Sequence, residues 1–238
     1  VPGAIASLGA RPIFVETTEA LTIDLGHLAA EAEAHPEARV LLLSHMRGHM
    51  ADMDALMAVA EAHGLTVVED CAHTMGARWA GVPSGRHGAI GCYSTQTYKH
   101  MNSGEGGLIV TDDADLAARM VLLSGSYMLY DRHRAAPPPE AFEGLKLDTP
   151  NVSGRMDNLR AAILRPQLHR LADKCAAWTD RYRVVEAGLR GTPGLTVIER
   201  PEEEGFVGSS IQVLLEDWAP DDIRLVLKLP AEGMPEGR

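Results

Sequence analysis

Four short apolar runs, at residues 40–44, 65–68, 90–94 and 108–111, most restrict what this chain can fold into. Each is too short for a helix and carries no polar residue at alternate positions. Strands buried on both faces of a parallel sheet read this way. Helical patterns lie between the runs. Residues 52–63 place Leu56, Val59 and Ala60 on one face, and Gly64 stops them. Asp112 or Asp113 caps a helix that runs through Leu123, with Leu116, Met120 and Leu123 on one side. Strand, helix, strand in repetition predicts an α/β fold, a mostly parallel sheet with flanking helices. Residues 12–15 read as one more strand.

The later part of the chain changes character. Residues 130–150 hold Arg132-His133-Arg134 and Pro137-Pro138-Pro139, lack periodicity, and read as a long surface loop. Two helical patterns follow at 156–171 and 174–189, and Pro166 should kink or divide them. Residues 195–198 and 211–215 read as strands and 220–227 as a helix start. This predicts a partial cofactor-binding large domain over residues 1–170 and part of a smaller α+β domain over 171–238. The chain opens on Val1-Pro2-Gly3 and stops soon after that helix start, so it reads as a piece of a longer protein.

Composition excludes several classes of partner. The formal net charge of -11 argues against nucleic acid or an anionic membrane surface. Three widely spaced cysteines, Cys71, Cys92 and Cys175, make no disulfide framework, which fits a reducing cytoplasm. No apolar run is long enough to span a bilayer.

The chemistry concentrates between Val67 and Gly107. Asp70 emerges at the end of one apolar run and Ser94 at the end of another. In parallel α/β sheets, ligands sit at the carboxyl ends of strands. Lys99 follows five residues after Ser94, and the turn Gly104-Glu105-Gly106-Gly107 comes next. A lysine held in a pocket at a strand end becomes a Schiff-base nucleophile when its pKa falls. A carboxylate at Asp70 would pair with a protonated pyridine nitrogen and make the ring a better electron sink. His73 could stack on or bond to such a ring, and Ser94 could bind a phosphate. Each residue also has a plain reading: a solvated lysine, a helix N-cap, a half-buried histidine, a strand-end turn.

The segments EDCAHTMGARWAGVPSGRHGAIGCYST, Lys99 and SGEGGLIVTDDADLAAR together resemble the DegT/DnrJ/EryC1/StrS family of sugar aminotransferases. The resemblance extends to Leu8-Gly9-Ala10-Arg11-Pro12-Ile13-Phe14-Val15, read as a strand entry. It includes Ser44-His45-Met46-Arg47-Gly48 with Ala51-Asp52-Met53-Asp54-Ala55-Leu56, against "VHLYG … DMDAI". It also takes in Arg155-Met156-Asp157-Asn158-Leu159-Arg160-Ala161-Ala162, against "RM(S/T)ELQAA". Several motifs in order are more specific than any one.

The resemblance implies an aspartate-aminotransferase-like large domain and pyridoxal 5'-phosphate as cofactor. Lys99 would bond the cofactor and shuttle the proton, Asp70 would pair with the pyridinium nitrogen, His73 would lie near the ring, and Ser94 would bind the phosphate. The family's asparagine that reaches a neighbouring subunit's phosphate falls at Ser153, with Asn151 two residues earlier, so either could serve. The implied reaction moves an amino group from an amino acid, glutamate by expectation, to a keto sugar, nucleotide-linked by expectation, in a cytoplasmic homodimer. The family's upstream phosphate turn and ring-stacking aromatic would precede Val1. Residues 127–150 also lack the family's Arg-Asn-His-Gly pattern.

Three rival readings stand beside this one. A sugar dehydratase on the same scaffold would carry histidine in place of the lysine, and His100 adjoins Lys99. A metal site could use His45 with His49, which would need a helix that Gly48 and the preceding strand disfavour, or Cys71 with His73, which lack a second pair, and no metal is expected. An inactive paralogue would keep the fold and serve as a structural or assembly partner.

Overall fold

The structure is a computed structural model that describes residues 2–125 and 136–223. Its centre is a four-stranded sheet in the order β1 (Val40–Ser44), β2 (Thr66–Asp70), β5 (Ile90–Ser94), β6 (Gly107–Val110). The first three strands are parallel, and β6 runs antiparallel to β5. The sheet is therefore mostly parallel, as the apolar runs predict. Register places Leu43 beside Glu69, Ser44 beside Asp70, and Asp70 beside Cys92. The carboxyl ends of β1, β2 and β5 thus line up at one edge.

Alternation decides which face of the sheet is covered. Along β1 and β2 the fully buried positions are Leu41, Leu43, Val67 and Glu69, while their neighbours are only partly covered. Against that face lie α2 (Leu25–Ala34) and α3 (Met53–Ala62), and Leu28, Met53, Leu56, Ala60 and Trp79 complete the core. Each such large side chain contributes about 1.5–3 kcal/mol on burial. Asp52 caps α3 by accepting from the Ala55 N–H at 3.0 Å. Asp113 caps α4 (Ala114–Ser124), accepting from Asp115 and Leu116. The expectation that all four runs are buried on both faces is corrected: β6 is exposed along its length, with Ile109 at 56 %.

Other expectations also shift. Residues 12–15 form no strand, and that stretch reaches only an isolated bridge from Thr17 to Ile23. Pro12 has no N–H to offer a ladder, and Phe14 is exposed. Pro166 sits inside α5 (Asn158–His169) without ending it; the break before α6 (Leu171–Leu189) falls at Arg170. Residues 130–135 of the expected loop lie outside the described residues. Beyond them, a 3-10 turn at Pro139–Phe142 buries Phe142 against Ala118 of α4, so this part is not simply a surface loop. Of the helix start at 220–227, residues 224–227 lie outside the described residues.

The remaining strands are short. β3 (Arg78–Trp79) pairs with β4 (Val82–Pro83) and with β8 (Glu204–Gly205). β7 (Leu195–Val197) pairs with β9 (Val213–Leu215). Val207, Cys175 and Trp178 pack against the main core, so residues beyond 170 help to close it.

Candidate active site

The strand ends bring three of the expected residues together. Asp70 is the last residue of β2. Its carboxylate accepts from the Ser44 hydroxyl at 3.3 Å and from the Ala72 N–H at 3.1 Å. Each oxygen thus holds one hydrogen bond and keeps room for a further donor. Three residues on, the half-buried His73 meets Lys99, with Nε2 and Nζ 3.1 Å apart. Lys99 makes no ion pair with any described residue. Burial lowers its pKa, the Asp70 carboxylate opposes that, and the Arg47 guanidinium lowers it further, with a net downward shift. Burial, Lys99 and Arg47 together lower the pKa of His73 against the pull of Asp70. Burial is the largest cause of both shifts.

Ser94 ends β5, and its Oγ accepts from the Gln96 N–H at 3.3 Å. Its own hydroxyl proton is given to no described residue, so it remains available to an anion. Thr95 next to it is fully buried and meets Ser103 Oγ at 3.1 Å, which ties the segment carrying Lys99 to the Gly104–Gly107 turn. Gly106 has a φ of 136° there, and a Cβ would come 2.7 Å from Thr95 Oγ1. Only glycine fits that approach. Asn151 and Ser153 are not brought to Lys99 by any hydrogen bond. They are exposed and bond to each other, the Ser153 N–H donating to Asn151 Oδ1 at 2.8 Å.

Two features escape the sequence reading. Arg47 lies in a 3-10 turn, Met46–Gly48, with a φ of 55°. That turn packs directly on the site, since a Cβ on Gly48 would lie 3.1 Å from the His73 carbonyl oxygen. Glu69 is fully buried one residue before Asp70. Its Oε1 accepts from the His87 and Gly88 N–H groups at 2.8 and 2.7 Å. Its Oε2 accepts from Gly85 N–H at 2.8 Å and from His45 Nε2 at 3.1 Å. Burial would raise this carboxyl, but the bonds from His45, Gly88 and Gly85 prevail and hold it below the usual range. The signal was present: an acid at alternate spacing from Val67 in a strand must share its buried face.

His45, Glu69 and Cys71 bring ligand atoms within 4.8 Å of one another, a different grouping from the histidine pair considered from sequence. Both Glu69 oxygens are already fully engaged, and burial with the Glu69 charge pushes the Cys71 thiol up to about 12. The grouping is a structural network that fastens the 85–88 loop to β2.

The profile of the DegT/DnrJ/EryC1/StrS aminotransferase family matches residues 2–234. The chain belongs to that family. Across 89 % of its length it is 33 % identical to an L-glutamine:2-deoxy-scyllo-inosose aminotransferase of Streptoalloteichus tenebrarius, covering 53 % of that protein. Over 81 % of its length it is 34 % identical to a dTDP-3-amino-3,4,6-trideoxy-alpha-D-glucose transaminase of Streptomyces venezuelae, covering 47 % of it. Among solved structures, S. venezuelae DesV in complex with a ketimine intermediate superposes with a TM-score of 0.78 at 31 % identity. That match takes in 94 % of this chain and 56 % of the other. The chain spans about half the length of the relatives it matches.

The residues at the strand ends fit the pyridoxal 5'-phosphate that such aminotransferases use. An amine without a counter-ion, a carboxylate with spare acceptor capacity and a hydroxyl with an unassigned proton are the donor set that group needs.

Proposed function

We propose that this family member acts as a pyridoxal-5'-phosphate-dependent aminotransferase that moves an amino group from an amino acid to a ring ketone of a sugar or cyclitol. The observation that carries the reading is Lys99 Nζ set 3.1 Å from His73 Nε2, with its pKa lowered and no carboxylate paired to it. Lys99 would hold the cofactor covalently and carry protons to and from it. Asp70 would bind the ring nitrogen, His73 would lie beside the ring, and Ser94 would take part of the phosphate. The bound cofactor supplies an electron sink. In the net reaction the donor exchanges its C–NH2 for C=O, and the acceptor exchanges C=O for C–NH2.

A nucleotide-linked keto sugar is the acceptor we favour, on the likeness to the dTDP-sugar transaminase. Glutamate is the donor that the family resemblance implies, while the inosose relative is named for L-glutamine, so the two are set against each other. We favour a cytoplasmic homodimer, in which the exposed Asn151 or Ser153 would contact a second copy's phosphate. No described helix is long and apolar enough to cross a membrane.

The test is to purify the protein as its gene encodes it and titrate it with pyridoxal phosphate. A visible absorption band that borohydride fixes irreversibly is expected, and Lys99→Ala should lack it. The absence of any band in the unaltered protein would end this reading. Glutamate or glutamine should then bleach the band, and whichever acts at the lower concentration is the donor.

A further inference from the structure

Among the described residues, Arg47 is the one fixed cation besides Lys99 itself whose charge bears on both Lys99 and His73. Its guanidinium is exposed and makes no hydrogen bond or ion pair with any described residue. Its backbone, by contrast, is held firmly. The φ of 55° is a left-handed conformation that arginine rarely adopts. The Ser210 hydroxyl donates to the Arg47 carbonyl at 3.0 Å, and buried Arg200 donates to the Gly48 carbonyl at 2.7 Å. His49, next along, joins Gln212 at 2.8 Å. Gly48 rests on the His73 carbonyl. Three long-range bonds therefore fix a strained turn against the histidine that touches Lys99, and the arginine on that turn has no side-chain partner among the described residues.

An amino donor imposes a matching demand. Its amine must reach the position of Lys99 Nζ, and its α-carboxylate sits on the same carbon as that amine. The carboxylate consequently arrives close to Lys99, where a free cation would pair with it. Strain held at a site by outside contacts is a mark of a functional position. Arg47 also stands where the family motif quoted above has tyrosine, so this chain places a charge where that pattern has none.

We infer that Arg47 binds the α-carboxylate of the amino donor, a group common to glutamate and glutamine. The inference rests on the aminotransferase reading above. A planar guanidinium receives a carboxylate through two parallel hydrogen bonds, so lysine would replace it only in part.

The experiment uses the 2-methyl derivatives of glutamate and glutamine, which keep the α-carboxylate but have no Cα proton to lose. Their binding to the cofactor-loaded protein is measured by calorimetry, alongside that of their α-amides. Arg47→Ala should weaken the acid about 10- to 100-fold, the range expected for one charge-assisted pair. Changing the acid to its amide should cost the same in the unaltered protein and almost nothing further in Arg47→Ala. Arg47→Lys should recover part of the loss. In turnover, KM for the donor should rise while kcat and the acceptor KM change little. Independent, additive losses from the variant and the amide would overturn the inference, as would a change under threefold in Arg47→Ala. Either result with the borohydride-sensitive band intact leaves the aminotransferase reading standing. Failure to form that band removes both.

Discussion

Replacing Glu69 by glutamine tests whether the buried carboxylate is a structural anchor. The substitution keeps shape and volume and changes only charge and hydrogen bonding. With its carbonyl at the Oε1 position the amide still accepts from His87 and Gly88. Its NH2 then faces the Gly85 N–H, a donor against a donor. His45 can adapt by exchanging its ring proton, but Gly85 cannot. An orphaned buried N–H costs about 1–3 kcal/mol. The bonds that remain lose charge assistance, a further cost of about 1–2 kcal/mol, partly offset because an ion is no longer buried. The expected net loss is about 2–4 kcal/mol. Turning the amide over would leave both His87 and Gly88 facing its NH2, which is worse. Urea unfolding followed by tryptophan fluorescence should show a midpoint lowered by about 1 M at unchanged slope, with m near 2–3 kcal/mol/M. His45→Ala combined with Glu69→Gln should cost less than the sum of the two single changes. A loss under about 0.5 kcal/mol in Glu69→Gln would refute the reasoning, since an unpaired buried donor cannot be that cheap.

Acid should weaken the fold in a defined window. Burial and the Arg200 charge lower His49 to about 4 against the pull of its Gln212 bond, so the folded protein binds fewer protons than the unfolded chain below about 6.5. Its contribution is full above 6.5 and fades as pH falls toward 4, by about 3 kcal/mol in all, and His49→Gln should flatten that slope in pH-dependent urea titrations. Gly91→Ala would put a Cβ 2.4 Å from the Gly85 carbonyl oxygen. Backbone cannot yield there, so a loss of about 3 kcal/mol or more is expected in thermal melts, whereas Gly188→Ala, with open space in α6, should be neutral or gain up to about 1 kcal/mol. Cys71, buried and with its thiol at about 12, should react with a disulfide reagent only after unfolding, later than the half-buried Cys92 and Cys175. Early labelling of Cys71 in the native protein would contradict its placement.

The strands at 40–44 and 90–94 were legible to the residue because their apolar runs coincide with their ladders. The strand expected at 65–68 runs instead over 66–70, since pairing continues through two acids that an apolar pattern excludes. One of those acids satisfies its charge with backbone N–H groups from a loop about seventeen residues away, a long-range fact that no local pattern carries. Residues 12–15 had the composition of a strand but pair with no described strand. At the candidate site, the closeness of Asp70, His73 and Lys99 follows the order read from the sequence, with Asp70 at a run end and Lys99 shortly after another. Arg47 was not, because its importance comes from a left-handed turn whose holding contacts, Arg200, Ser210 and Gln212, lie more than 150 residues on.

Glu69 and Asp70 show how the fold and the site depend on each other. They are neighbours in sequence and, by the two-residue period of a strand, point to opposite faces. Glu69 goes into the core, where four hydrogen bonds lock it; Asp70 goes to the strand end, where it meets Ser44 and acts on Lys99. A register slip of one residue would exchange them. It would leave a carboxylate at the site one pleat out of line and strand the 85–88 loop without its acceptor. The cost of that slip, set by the buried donors around Glu69, is therefore also what keeps Asp70 in line with Lys99. On the aminotransferase reading proposed above, stability loss in Glu69 variants should be accompanied by weaker retention of pyridoxal phosphate, even though Glu69 hydrogen-bonds to none of Asp70, His73, Ser94 and Lys99.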